Sequence, residues 1–250
     1  MLRHRVIPLI LLDGYSVVKT IKFDIRRNLG NPIVVSRIYN SRNVDELFLL
    51  DIDASKERRG IDLQTVNSVA SQCFMPVTVG GGLHSCEDIS KVLQAGADRV
   101  SVNTALWRNP SFLEKAVSVF GSQCIVASLD VKKDNTGKYI LHSHANLQIG
   151  LSLESCISLL TRIHVGELLI NNVDLDGTMC GFDLDLIKYI SSLTSVHIVA
   201  AGGASSPNDC GKVIQAGASA VSAASIFHFT SITPQTCKEG MSKMGIPMRL

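Results

Sequence analysis

The chain repeats itself at a spacing of 121 residues. Gln94 to Thr104 (QAGADRVSVNT) and Gln215 to Ser225 (QAGASAVSAAS) agree at six of eleven positions. The same offset pairs VGGGLHS (79–85) with AAGGASS (200–206), and ELFLLDID (46–53) with ELLINNVD (167–174). Within each copy, short β-branched runs alternate with segments of helical period, the pattern of βα units around a parallel sheet. The predicted strands are RVIPLIL, ELFLLDI, PVTV, RVSV, CIVASLD, ELLINNV, HIVA and AVSAA, with helices over 61–73, 86–95, 109–120, 152–164, 182–192 and 207–216. A doubly wound sheet would normally need fewer strands, and two long βα copies close more naturally into a barrel than into an open solenoid. The expectation is therefore a (β/α)8 TIM barrel in a single domain over 1–250, built from half-barrels of about 1–120 and 121–250.

Composition fits one large core. A hydrophobic share of 46% and a charged share of 18% describe an ordinary globular chain. With 24 basic and 22 acidic residues, the net charge of +2 lacks the electrostatic footprint of a nucleic-acid or membrane binder. The cluster Lys56, Arg58, Arg59 reads as a solvated loop. The apolar stretch after Arg3, His4 and Arg5 is too short for a secretory signal, and no apolar run approaches the ~20 residues that span a bilayer. Seven scattered cysteines (Cys73, Cys86, Cys124, Cys156, Cys180, Cys210, Cys237) form no CxxC pair or Cys/His cluster. They read as reduced thiols of a cytoplasmic protein, and neither a metal nor another cofactor is expected.

In a parallel barrel, ligands meet the C-terminal ends of the strands, and phosphate commonly sits on glycine-rich turns there. Gly80, Gly81 and Gly82 end the third predicted strand and Asn103-Thr104 the fourth; their repeats are Gly202-Gly203 after the seventh and Ala224-Ser225 after the eighth. Small residues let backbone N–H groups approach an anion, and the hydroxyls of Thr104 and Ser225 add hydrogen bonds. Two such sites on one mouth imply a ligand with a phosphate at each end; the plainer reading is a set of tight βα turns. Asp51, Asp53, Asp130, Asp174 and Asp176 are the candidate acids and bases of the mouth. Asp130 follows the apolar run Cys124 to Leu129, so partial desolvation suits it to proton transfer, with a helix cap or loop solvator as the alternative. Lys19, expected in a long loop after the first strand, could clamp an anion or simply be solvated.

The combination IP-x(4)-DG-x-x-VVK, DELFLLDIDAS, VTVGGG, AGADRVSVNTA, FGSQCIV, DLDGT-x-x-G-x-D, AGGA and AASIFHF resembles the cyclase (synthase) subunit of imidazole glycerol phosphate synthase along essentially the whole chain. The resemblance implies a half-barrel-duplicated barrel acting as a lyase-type cyclase. It implies a heterodimer with a glutaminase at the barrel's bottom, whose ammonia crosses the barrel to a bisphosphate at the top. By position it implies phosphate binding at Gly82, Asn103, Thr104, Gly203, Ala224 and Ser225, and a general acid/base at Asp130. It also implies an ammonia gate of Arg5, Glu46, Arg99 and Glu167, with arginine in place of the family's usual lysine at 99, and a glutaminase contact at Asp98. Without the resemblance these five would read as rim charges.

The family's second essential aspartate lies at the end of the first strand. The repeat aligns Ile125–Asp130 with Val6–Leu11, so the partner of Asp130 is Leu11. Asp13, two residues on, belongs to the strand exit. Ser16 stands for a usual arginine, Ala201 for a usual serine, and His144 where a small residue is usual. The stretches VKTIKF and NNVDLDGTMCGFDLDLIK resemble a side branch of the family encoded with surface-polysaccharide (O-antigen) genes. There the subunit and a glutaminase supply ammonia for an amidine on an acetamido sugar, together with a separate amidotransferase. The expectation is an ammonia-receiving subunit of that kind, with Asp130 and Lys19 at the mouth. The alternatives are a true histidine-pathway cyclase in which Asp13 or His144 moves the proton, and a non-catalytic, glutaminase-activating ammonia conduit.

Overall fold

The computed structural model describes residues 3–42, 44–144 and 149–249. Eight parallel strands close on themselves: β1 (Arg5–Leu12), β4 (Leu47–Asp51), β5 (Val77–Gly80), β6 (Arg99–Val102), β7 (Ile125–Lys133), β9 (Glu167–Asn172), β10 (His197–Ala201) and β11 (Ala220–Ala223). The last pairs back onto the first, completing a (β/α)8 TIM barrel. All eight predicted strands are present. β1 changes partner at Pro8: its register with β11 runs from Arg5↔Ala220 to Pro8↔Ala223, and that with β4 from Leu9↔Phe48 to Leu12↔Asp51. A proline lacks the N–H that a ladder uses, and the hand-over is where a strand can best spare it.

Helices α2 (Leu63–Ala70), α3 (Cys86–Gln94), α5 (Pro110–Phe120), α6 (Leu153–Arg162), α7 (Leu184–Leu193) and α8 (Pro207–Gln215) occupy the predicted segments. The repeat is legible in their caps. The hydroxyl of Ser85 accepts from Asp88 N at the start of α3, and that of Ser206 from Asp209 N at the start of α8. These side chains satisfy N–H groups that the first turn leaves open. Two short helices, α4 (Thr104–Arg108) and α9 (Ser225–Phe229), begin after Asn103 (φ −123°, ψ −80°) and Ala224 (φ −131°, ψ −74°), nearly the same backbone 121 residues apart.

Five further elements lie outside the predicted set: the hairpin β2 (Val17–Ile21) and β3 (Ile25–Gly30), strand β8 (Tyr139–His142) beside β7, and helices α1 (Pro32–Ser41) and α10 (Pro234–Lys243). The hairpin corrects the expectation for Lys19, which lies within β2 and is buried. Among the described residues no helix is long and apolar enough to cross a membrane.

Alternation along each strand sorts apolar side chains into two cores. One lies between sheet and helices; the other fills the lumen with Ile7, Leu9, Leu11, Phe48, Val126 and Leu169 among its members. Phe48 is completely buried there. Phe48→Ala is expected to cost about 3–5 kcal/mol, measurable by urea unfolding.

Candidate active site

The strand ends surround a cavity of about 120 Å³. Asp130 lies on its wall, 8% exposed, accepting from Asn103 Nδ2 at 2.9 Å and from Asn171 Nδ2 at 3.5 Å. Burial pushes its carboxyl up to about 7, against the opposing effect of these two hydrogen bonds. The side chain is therefore poised to take up or release a proton near neutrality.

The other acids lining the cavity are engaged. Asp51 pairs with Arg59 (2.5 and 3.2 Å), and its Oδ1 accepts from the N–H groups of Asp53 and Ala54. Asp176 accepts from Thr20 Oγ1 at 2.7 Å; burial raises its pKa while Thr20 and Lys19 oppose the rise. Asp53 pairs with Arg26 and lies outside the cavity lining, as does Asp174, which accepts from Lys133 N. Asp13 is exposed and does not line the cavity.

Leu11 holds the place that the repeat assigns it. Its register partner is Leu50, which pairs with Gly80; Asp130 pairs with Asn171, which pairs with Ala201. Leu50 and Gly80 are the residues 121 positions before Asn171 and Ala201. Leu11 is 7% exposed on the cavity wall, so an alkyl group fills the position related to the carboxylate of Asp130.

The two glycine cradles share one construction. A Cβ on Gly82 (φ +66°) would lie 1.9 Å from Arg59 O, and one on Gly203 (φ +98°) 2.1 Å from Gly181 O, so only glycine fits either turn. Gly81, Gly82, Asn103 and Thr104 line the cavity, whereas Gly202, Gly203, Ala224 and Ser225 do not. The hairpin packs against the turn after β9: Lys22 N donates to Asp176 O, and a Cβ on Gly177 would lie 2.0 Å from Thr20 O. Lys19 is 2% exposed, and its Nζ donates to Leu9 O at 2.6 Å rather than facing the cavity. Burial lowers its pKa to about 7, with the charge of Asp176 opposing. Lys19 thus lies in a strand rather than the expected loop, with its amine hydrogen-bonded to the backbone of β1. Burial lowers the neighbouring His228 to about 4, and Lys19 adds to that shift.

Phe23, at the hairpin tip, reaches across the mouth to His142 (6.1 Å between ring centroids) and His144 (5.7 Å). The sequence pointed to His144 but not to Phe23 or Asn171, both of which line the cavity. The offset that pairs Asn171 with the mouth residue Leu50 was a signal for its place.

At the opposite end of the lumen, Arg5 binds both Glu46 (2.5 Å) and Glu167, and Arg99 Nη1 binds both again at 3.0 and 2.8 Å. The four expected residues form one ring, with both carboxylates buried. Thr78 Oγ1 donates to Glu46 at 2.7 Å. Asp98 is exposed at the same end, its carboxylate accepting from Val77 N at 2.8 Å.

Residues 5–233 match the histidine biosynthesis protein family. The chain belongs to that family. It is 40% identical over 250 residues, all of both chains, to a putative imidazole glycerol phosphate synthase subunit hisF2 of Campylobacter jejuni. It is 40% identical over 249 residues, 98% of each chain, to the imidazole glycerol phosphate synthase subunit HisF of Clostridium botulinum. This member of the histidine biosynthesis protein family is HisF-like over its whole length.

Two outcomes follow from the charges. Asp130 holds a proton in the folded state that the unfolded chain releases, so it makes stability fall as pH rises from 3.8 to about 7. Asp130→Asn is expected to flatten that part of the thermal-unfolding profile and to raise the melting temperature above pH 7. Glu167→Gln leaves two guanidinium groups sharing one buried carboxylate and is expected to cost about 3–5 kcal/mol in chemical denaturation.

Proposed function

We propose that the chain is the ammonia-accepting, synthase-like subunit of a two-subunit glutamine amidotransferase. Its chemistry has diverged from imidazole ring closure toward amidination of an acetamido sugar in polysaccharide biosynthesis. The observation that carries this reading is Leu11 at the position related to Asp130. Asp130, desolvated and without a cation hydrogen-bonded to it among the described residues, serves as the general acid or base. A positioned group of this kind is worth roughly 10²–10⁴-fold, and leucine moves no proton. Ser16, Ala201 and His144 add departures around the same mouth.

The assignments of the other parts follow this reading. A glutaminase docks at the ring end, near Asp98, and Arg5, Glu46, Arg99 and Glu167 gate ammonia into the lumen. A phosphate of the substrate rests on Gly81, Gly82, Asn103 and Thr104; Gly202, Gly203, Ala224 and Ser225 serve a second phosphate once the hairpin lifts. Asp176 and Lys19 hold the hairpin side of the mouth. A separate amidotransferase works with the pair on the sugar.

A second reading, the genuine cyclase of histidine biosynthesis, is favoured by full-length similarity to the HisF subunit of Clostridium botulinum. One assay separates the two. Incubated with ammonium salt and the bisphosphate precursor of the imidazole ring, the purified chain is expected to give little product; ready turnover would overturn the sugar reading. Leu11→Asp is expected to gain this activity. In the native reaction Asp130→Asn is expected to lose roughly 10²–10⁴-fold in rate; an unaltered rate would make the chain a conduit only.

A further inference from the structure

The cavity at the strand ends has two chemically different walls, and the proposed function uses only one of them. Around the closed barrel, β1 is separated from β7 by three strands on either side (β4, β5, β6 and β11, β10, β9), and β4 from β9 likewise. Leu11 on β1 therefore faces Asp130 on β7, and its register partner Leu50 faces Asn171. All four residues line the one cavity. Ile52 and the hairpin residue Phe23 extend the leucine wall, while Asn103 and Ser128 extend the wall of Asp130.

Water serves these walls unequally. The carboxyl, amides and hydroxyl of one wall hydrogen-bond with it, whereas the alkyl groups opposite gain when an apolar guest covers them. Volume sets a second limit. A void of ~150 Å³ holds one benzene ring, so about 120 Å³ takes a group somewhat smaller. Charge sets a third. An anion would meet the carboxyls of Asp130 and Asp176, and Lys56, which also lines the cavity, is exposed at its rim. A cation would lie against leucine side chains. What fits is a small neutral group with an alkyl end and a hydrogen-bonding end.

We propose that this cavity is a subsite for an acylamino group, holding its methyl against Leu11 and Leu50 and its amide against Asp130. Resting on the sugar reading, that group is the N-acetyl of the acetamido sugar, whose ring projects toward the hairpin tip. The carbonyl oxygen accepts from Asp130 in its protonated form. Leu11 is then a specificity-determining residue, and its alkyl group selects the substrate that the lost acid could not hold.

Saturation-transfer NMR titrations of the purified, unmodified chain test the subsite with N-acetylglucosamine, N-formylglucosamine and glucosamine. The acetyl methyl protons are expected to receive the strongest saturation. The formyl probe, which lacks only that methyl, is expected to bind roughly fourfold more weakly, the size of one buried carbon, and glucosamine more weakly still. Equal affinity of the acetyl and formyl probes, or no binding of the acetyl probe, would overturn the proposal. Leu11→Ala enlarges the alkyl side and is expected to prefer N-propionylglucosamine over N-acetylglucosamine, reversing the order of the unmodified chain. An unreversed order in the folded variant overturns the role of Leu11, and the ranking on the unmodified chain stands whether or not the variant folds. Turnover of the bisphosphate precursor separates this proposal from the reading beneath it. Methyl contact together with ready turnover removes the sugar reading and leaves the subsite. Absent methyl contact without turnover removes the subsite and leaves the sugar to the separate amidotransferase.

Discussion

Closure of the sheet at β1 is the constraint on which everything else rests. The first strand must satisfy β11 over its first half and β4 over its second, and it changes over at Pro8. Closure turns one face of every strand toward a common axis, and that face has no water to fall back on. Inward side chains must then fill space, pair with one another, or shift their protonation. The lumen shows all three responses: a Phe48 plug, an Arg/Glu ring, and Asp130 with its carboxyl pushed up to about 7.

The duplicated framework is symmetrical while its chemistry is not. Turn glycines, helix caps and register recur at 121 residues. The groups that could do work differ between the copies: Asp130 against Leu11, and Asn171 against Leu50. One cradle lines the cavity, and the other does not. A two-fold scaffold here carries a one-sided site.

How far the sequence discloses this arrangement follows from what each element buries. The eight barrel strands are nearly continuous apolar runs because both of their faces are covered, and such runs stand out in a sequence. β3 is almost wholly exposed and reads IRRNLG, so this half of the hairpin left no apolar signal. α10, PQTCKEGMSK, shows little apolar stripe, although Thr233 and Pro234 mark its start. Asp130 and both glycine turns were legible because an acid or a glycine directly after an apolar run marks the mouth end of a barrel strand. The burial of Lys19 was not, since lysine in an unassigned segment defaults to solvent. Asn171 and Phe23 owe their positions to strand register and a hairpin tip, which emerge only when distant segments meet.

The hairpin tip has an energetic consequence for anything that enters. A cavity of about 120 Å³ resembles the ~150 Å³ of an engineered void that admits a single benzene ring. A larger ligand must raise the tip, separating Phe23 from its two histidines and Arg26 from Asp53. Lys22 (φ 52°) and Phe23 (φ 62°) sit in left-handed backbone that neither residue favours, so the tip's contacts hold it against local strain. The affinity of any ligand that displaces the tip therefore includes the work of breaking these contacts.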